Sequence, residues 1–315
     1  MTYDYNYWNQ DIRKFKERFA EGFDISHCDI EIRDNDDSNI PGICWGRIQM
    51  PSQYLELLNI HCNLILSNRN IFQNIGDYRN EKLNQEKYEI PNYLLDPKDF
   101  KTKYLLNIDK VIPNDEKRRN VAALVRDLVS YFVIYHEIGH ARQLAYIQNN
   151  EADCKENPVD NWGNQAMEVD ADIFAINWLW RTTLVNYHNF TADKSDYTRQ
   201  ELIAIALYSV FLLFVLSDNN KPIINPNADY PHPVVRFEIV SVFMKEVLLD
   251  NNFTMDEFGE VLKIALPELK KTLIFHFGLN YRDYFDKFDS KELKEAKIMI
   301  DANLKKNSAF NHHRV

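Results

Sequence analysis

A chain of 315 residues that is 45% apolar, 27% charged and 13% aromatic has a globular composition and enough length to bury a sizeable core. Gly occupies only 8 positions, against about 7% of residues in an average protein, and no G-x-G-x-x-G or G-x-x-x-x-G-K-[ST] stretch occurs, which argues against a Gly-rich phosphate cradle. Lys and Arg number 37 and Asp and Glu 47, a net charge of −10, which argues against nucleic acid as the main partner.

The N-terminal residues Met1 to Trp8 lack the basic start and apolar run of an export signal. The four cysteines, Cys28, Cys44, Cys62 and Cys154, contain no C-x-x-C pair, so free thiols and a cytoplasmic location are expected. His27-Cys28 and His61-Cys62 look like ligand pairs, but adjacent side chains diverge on a helix or strand. Residues 5–20 carry Trp8, Ile12, Phe15 and Phe19 at helical spacing. The stretch from Cys28 to Asp34 and the run from Gly42 to Met50 read as a short β-hairpin or two small strands, joined by a turn-rich Asp34–Asn39. Pro51-Ser52 opens a helix with Leu55, Leu58, Cys62, Leu64 and Leu66 inside it. Residues 74–113 are polar and Pro-punctuated and read as a long loop.

From Asn114-Asp115, an N-cap signal, a helix is expected to run to about Asn149, with Val121, Leu124, Val125, Leu128, Phe132 and Tyr135 as its apolar stripe. Near its start Lys117-Arg118-Arg119 reads as a solvated face. Pro158 and Gly163 break the pattern, and a second helix follows from about Gln165 to Tyr187. Residues 202–217 are 16 apolar or small residues in a row, short of the roughly 20 a membrane span needs, so a buried central helix is expected. After the Asn- and Pro-rich loop from Asp218 to Pro233, helices are expected at about 234–250, 255–275 and 290–305. The expected fold is mainly α with a small β-sheet (α+β), in one domain over residues 1–315. Within it, residues 1–113 hold an N-terminal helix, a small β element and loops, residues 114–250 the site-bearing helices, and residues 251–315 the C-terminal helices.

The long helix contains His136-Glu137-Ile138-Gly139-His140, an H-E-x-x-H motif. Residues four apart stand one above the other on a helix, so His136 and His140 can converge on one Zn²⁺, while Glu137 is offset toward an attacking water as general base. Gly139 costs about 1 kcal/mol against Ala in mid-helix, which suggests close approach by another group. A catalytic zinc needs a third protein ligand and an open position. The H-E-x-x-H-x-x-G-x-x-H solution is excluded, because Gln143 and Tyr146 stand where its Gly and last His would be. Residues 165–174 contain Glu168-x-x-x-Asp172 on one helical face. Acids on a half-buried face are expensive unless paired or metal-bound, so Glu168 fits the third ligand. Asp172 fits a carboxylate orienting His136; Asp170 points elsewhere, toward solvent or a salt bridge. Further on, His232 stands between Pro231 and Pro233, and Arg236 lies one turn into the next helix, placed to anchor a carboxylate near the site. His188, His276, His312 and His313 have no companion motif and read as structural or tail residues.

In order, H-E-x-x-H, E-x-x-x-D and Asp229-Tyr230-Pro231-His232-Pro233-Val234-Val235-Arg236 resemble the gluzincin metallopeptidases. The pattern is similar to the phage-exclusion peptidase Lit family and, more distantly, to the CAAX prenyl protease and HtpX group. The resemblance covers about residues 115–240. This chain departs from it by Tyr230-Pro231 between Asp229 and His232, and it lacks the several apolar spans of the prenyl-protease relatives. The resemblance implies a zincin-like domain with the H-E-x-x-H helix in its core. It also implies a Zn²⁺-dependent endopeptidase, with His232 stabilising the oxyanion or occupying the open zinc position at rest. The Lit-like form implies latent phage defence, with a host translation factor cleaved on a phage-derived trigger and no stable membrane insertion. Other readings are a housekeeping zinc endopeptidase on a protein or peptide substrate, a zinc-stabilised sensor without turnover, and a structural helical protein.

Overall fold

The computed structural model describes residues 29–33, 42–44, 47–81, 112–149, 161–185, 197–216, 223–225, 227–228, 230–276 and 290–306. The helix expected over residues 5–20 and the pair His27-Cys28 lie outside them, as do Asp229 and most of the expected loop up to residue 111. Helix dominates the described residues, as the periodicity predicts. In chain order the helices are α1 (Ser52–Leu66), α2 (Glu116–Asn149), α3 (Asn161–Val185), α4 (Arg199–Leu216), α5 (Pro233–Asp250), α6 (Met255–Lys271) with a π-helical turn Thr272–His276, and α7 (Lys291–Lys306). Gly163, expected in a helix-breaking segment, sits in the first turn of α3.

Three short extended segments precede α1: β1 (Asp29–Arg33), β2 (Gly42–Cys44) and β3 (Arg47–Pro51), ordered β1-β3-β2. Within the run from Gly42 to Met50, β2 and β3 pair with each other antiparallel, Ile43 opposite Ile48. β1 lies parallel to β3 with Ile30 opposite Ile48. A hairpin between the two expected strand regions is therefore not what forms.

The helices join through one contiguous buried apolar cluster that runs from Ile48 to Ile300. Residues 202–215 of α4 are buried on every side, as a helix apolar all round must be, and α4 packs against α2, α5 and α6. Among the described residues no helix is long and apolar enough to cross a membrane. α1 and α3 pack on α2, and α5 and α7 pack on α3, so α2 and α3 occupy the middle of the bundle.

The start of α2 overturns one expectation. Arg118 is fully buried instead of solvated. Its guanidinium donates to the carbonyls of Leu66, Asn68, Ile71, Phe72 and Ile75, at 2.7–3.2 Å. The chain leaving α1 thus wraps around one cation that satisfies five backbone acceptors. Glu81 lies 3.7 Å from the same guanidinium and accepts the N–H groups of Asn114 and Asp115 at 3.0 and 2.9 Å. Asp115 in turn caps α2 by accepting the Arg118 N–H at 3.1 Å. From α6, Glu268 accepts the Phe72 N–H. Basic residues do not show in sequence which of them turns inward. Only the turn-rich segment after α1, which directs the carbonyls of Leu66, Asn68, Ile71, Phe72 and Ile75 inward, makes a buried five-donor fork favourable.

Two buried histidines, His61 of α1 and His276 of the π-helical turn, meet edge to face with ring centroids 6.3 Å apart. Burial holds His61 down at about 3 and drives His276 well below its ordinary value. Both are neutral in the folded chain and charged in the unfolded chain below about pH 6.5.

Removing the Arg118 fork should cost roughly 3–5 kcal/mol, because the carbonyls of Leu66, Ile71 and Ile75 lose their donor, those of Asn68 and Phe72 keep only a turn N–H, and Glu81 loses its cation. Urea denaturation of Arg118→Met is the measurement, and Arg118→Lys should recover only part of the loss. A destabilisation under about 1 kcal/mol in both variants would contradict the structural role. The histidine pair should make stability fall as pH drops from 6.5 toward the folded-state values, since the unfolded state then binds more protons. His61→Phe should flatten the dependence of the urea midpoint on pH between 7 and 5; an unchanged slope would count against it.

Candidate metal centre

Helical spacing places His136 and His140 on one face of α2, and both rings turn toward α3. Their centroids are 4.6 Å apart at 89°, and their Nε2 atoms are 3.0 Å apart. From α3, Glu168 reaches across with Oε2 3.3 Å from His136 Nε2 and Oε1 3.2 Å from His140 Nε2. The two helices can come this close because of Gly139. A Cβ there would lie 3.0 Å from the Ala171 Cα and 3.2 Å from its Cβ, so Gly139 marks a helix–helix contact.

Behind each ring stands a further partner. His136 Nδ1 lies 2.9 Å from Asp172 Oδ1, and Arg236 of α5 grips Asp172 with Nε on Oδ2 and a terminal nitrogen on Oδ1, both at 2.7 Å. His140 Nδ1 lies 2.9 Å from Gln143 Oε1. Burial favours the neutral acid of Asp172, but the Arg236 cation outweighs it and keeps Asp172 below the usual carboxylate range. Burial likewise favours the neutral acid of Glu168, and the two histidines overcome it to hold Glu168 ionised well below its ordinary value. His136 is pushed by burial toward the neutral ring, but Asp172 and Glu168 win and raise it to about 10.

With His140 Nδ1 hydrogen-bonded to Gln143 and His136 Nδ1 beside the Asp172 carboxylate, the inward Nε2 atoms face each other and both oxygens of Glu168. Such a set is satisfied only by a proton or a metal ion. A tetrahedral ion with bonds of about 2.0–2.2 Å keeps its ligand atoms about 3.3–3.5 Å apart, close to the 3.0–3.3 Å separations found here. His136, His140 and Glu168 together could hold a metal ion. Glu137 shares this environment: it is buried, and desolvation together with the charge of Glu168 raises its pKa, against the opposing effect of His136, His140 and Arg236.

No protein-family model, curated protein or solved structure matches the chain.

Of the residues singled out in sequence, the structure brings His136, Glu137, His140, Glu168, Asp172 and Arg236 together. His232 caps α5 through Nδ1, which accepts the Val234 N–H at 3.1 Å, and it is buried, not on the surface. It does not belong to the group of converging donor atoms. Asp170, expected to face solvent or a salt bridge, is buried, accepts from Gln143 Nε2 at 2.9 Å and interacts electrostatically with Arg142. Tyr54 of α1 escaped the sequence reading: it is buried, and its phenol is raised by burial and by Glu137 and lowered by Arg236. Its only sequence signal is a hydroxyl in a helix whose inner side is otherwise mostly apolar.

Metal entering this site must displace the His136 proton. With a folded-state value of about 10, binding between pH 7 and 9 should release that proton, and apparent affinity should rise by up to about tenfold per pH unit. Calorimetric titration in buffers of different ionisation enthalpy measures the release directly. In the metal-free chain the same raised value contributes stability that is full below about pH 6.5 and lost as pH rises through about 10. Binding without proton release would contradict the assigned geometry.

Proposed function

We propose that the chain is a zinc-dependent endopeptidase of zincin-like type, acting on peptide bonds of a protein substrate. The observation that carries this reading is the convergence of His136, His140 and Glu168, with the buried Glu137 on the same turn of α2 as the two histidines. Two imidazoles and one carboxylate form a set that suits zinc and leaves a position open for substrate. Zinc bound there would polarise a scissile carbonyl and bring the pKa of water toward neutrality. Glu137, with its pKa raised by burial, is suited to take the proton of the attacking water and return it to the leaving amine. Asp172, clamped by Arg236, orients the His136 ring. His232 accepts a backbone N–H at Nδ1, so its neutral ring carries a proton on Nε2 and offers a donor to a developing oxyanion.

The ordered motifs support a place near the Lit-like gluzincins, and with it a latent cytoplasmic protease that cleaves a host translation factor on a phage-derived trigger. The acidic net charge and the absence of a membrane-spanning helix among the described residues agree with a protein substrate met away from nucleic acid and membrane.

Glu137→Gln should retain one zinc per chain and lose hydrolysis by about 10²–10⁴-fold, whereas Glu168→Ala should lose the metal. Terminal-peptide proteomics of cells expressing each form, with and without phage infection, alongside metal analysis of the purified proteins, tests both. New termini unchanged by Glu137→Gln would remove Glu137 from the chemistry. Zinc without any Glu137-dependent cleavage would point to a metal-stabilised sensor.

A further inference from the structure

Gln143 and Asp170 belong to no motif, yet both are buried beside the metal centre. We infer that Gln143, held in place by Asp170, is the positioning residue that fixes the tautomer of His140 and so keeps its inward nitrogen free of a proton. The inference rests on the metal-centre reading proposed above and extends it to the control of one ligand.

The orientation of the Gln143 amide follows from its partners. Its Nε2 lies 2.9 Å from the Met167 carbonyl oxygen and 2.9 Å from Asp170 Oδ2. Both partners can only accept, so both need an N–H, and only the amide nitrogen has two hydrogens to give. Reversing the amide would set its oxygen against two acceptors. Oε1 is therefore committed to the other side, where it lies 2.9 Å from His140 Nδ1. A carbonyl oxygen cannot donate, so Nδ1 must carry the proton, and Nε2, 3.2 Å from Glu168 Oε1, is left with its lone pair.

The two ligand histidines are thus backed by parallel but unequal chains. Behind His136 stand Asp172 and then Arg236. Behind His140 stand Gln143 and then Asp170, and Asp170 faces Arg142, where burial lowers the guanidinium pKa and the charge of Asp170 opposes that. Glu137, Glu168 and Asp172 already crowd this region with carboxylates. A carboxylate placed directly on His140 would add a further negative charge, whereas the amide passes on the direction imposed by Asp170 without its charge. This also accounts for a buried acid that has no place in the E-x-x-x-D pattern.

The test compares wild type with Gln143→Met, which keeps the side-chain length and removes the acceptor. Nitrogen-15 NMR of the metal-free proteins reads the proton on His140 Nδ1, and chelator competition reads zinc affinity. In wild type, Nδ1 should be protonated and slow to exchange with solvent. In Gln143→Met that protection should vanish and zinc affinity should fall about 10–100-fold, with His136 Nδ1 unaffected. An unprotonated His140 Nδ1 in wild type overturns the inference without any variant. A Gln143→Met protein that loses thermal stability but binds zinc within about threefold of wild type overturns it too, since Gln143 would then serve packing alone. Wild type that takes up no zinc overturns the metal-centre reading, and the Nδ1 proton, which needs no metal, still decides the hydrogen bond.

Discussion

Two imidazole nitrogens and a carboxylate, pressed to within 3.0–3.3 Å of one another inside a helical bundle, form an arrangement that is unfavourable by itself. Each inward atom offers a lone pair, and nothing between them offers a hydrogen unless a histidine takes up a proton. Water screens the set only weakly, because His136 is buried, His140 and Glu168 are partly covered, and the adjoining Glu137 and Asp172 are buried as well. The site is therefore a demand for positive charge built into the fold. Much of the local structure makes sense as a response to it: Asp172 and Gln143 draw the ring protons outward, and Arg236 balances the carboxylate that does so on one side.

That demand exists only because α2 and α3 touch. Gly139 against Ala171 sets the approach, and a methyl group at residue 139 would push the backbone of α3 away from the rings. The largely apolar α4 packs against α2, and Arg236 rests its guanidinium over the Phe214 ring of that helix, 4.9 Å from the centroid. At the far end, Arg118 ties the chain after α1 to the first turn of α2. The helix that carries the ligands is thus anchored both along its length and at its start.

The helices were legible in sequence wherever an apolar period ran unbroken, and the ligand pairs were legible because spacing on one helix is enough to align them. His136 with His140, and Glu168 with Asp172, are four-residue repeats whose geometry needs no tertiary information. What sequence could not show are contacts whose partners are far apart in the chain. In sequence Gln143 shows only as a missing Gly, Asp170 as an acid turned to solvent or a salt bridge, and Arg118 as part of a solvated basic face. Each is buried because a neighbouring helix or loop presents a polar group that needs it: Asp170 and the Met167 carbonyl for Gln143, the Gln143 amide for Asp170, and a row of carbonyls for Arg118. The parallel pairing of β1 with β3 is of the same kind, since alternation along a strand carries no sign of its partner's direction. His232 was legible as the residue before a Pro-initiated helix, and its capping bond to Val234 is the part that the local pattern dictates.

The most direct measurement is X-ray absorption at the zinc edge on the purified, zinc-loaded protein, with metal content determined on the same sample. The expected spectrum shows one ion per chain in a shell of nitrogen and oxygen at about 2.0–2.1 Å, with the outer scattering of two imidazole rings. A sulfur shell near 2.3 Å, a single ring, or well under one ion per chain would mean that His136, His140 and Glu168 do not meet around a common metal.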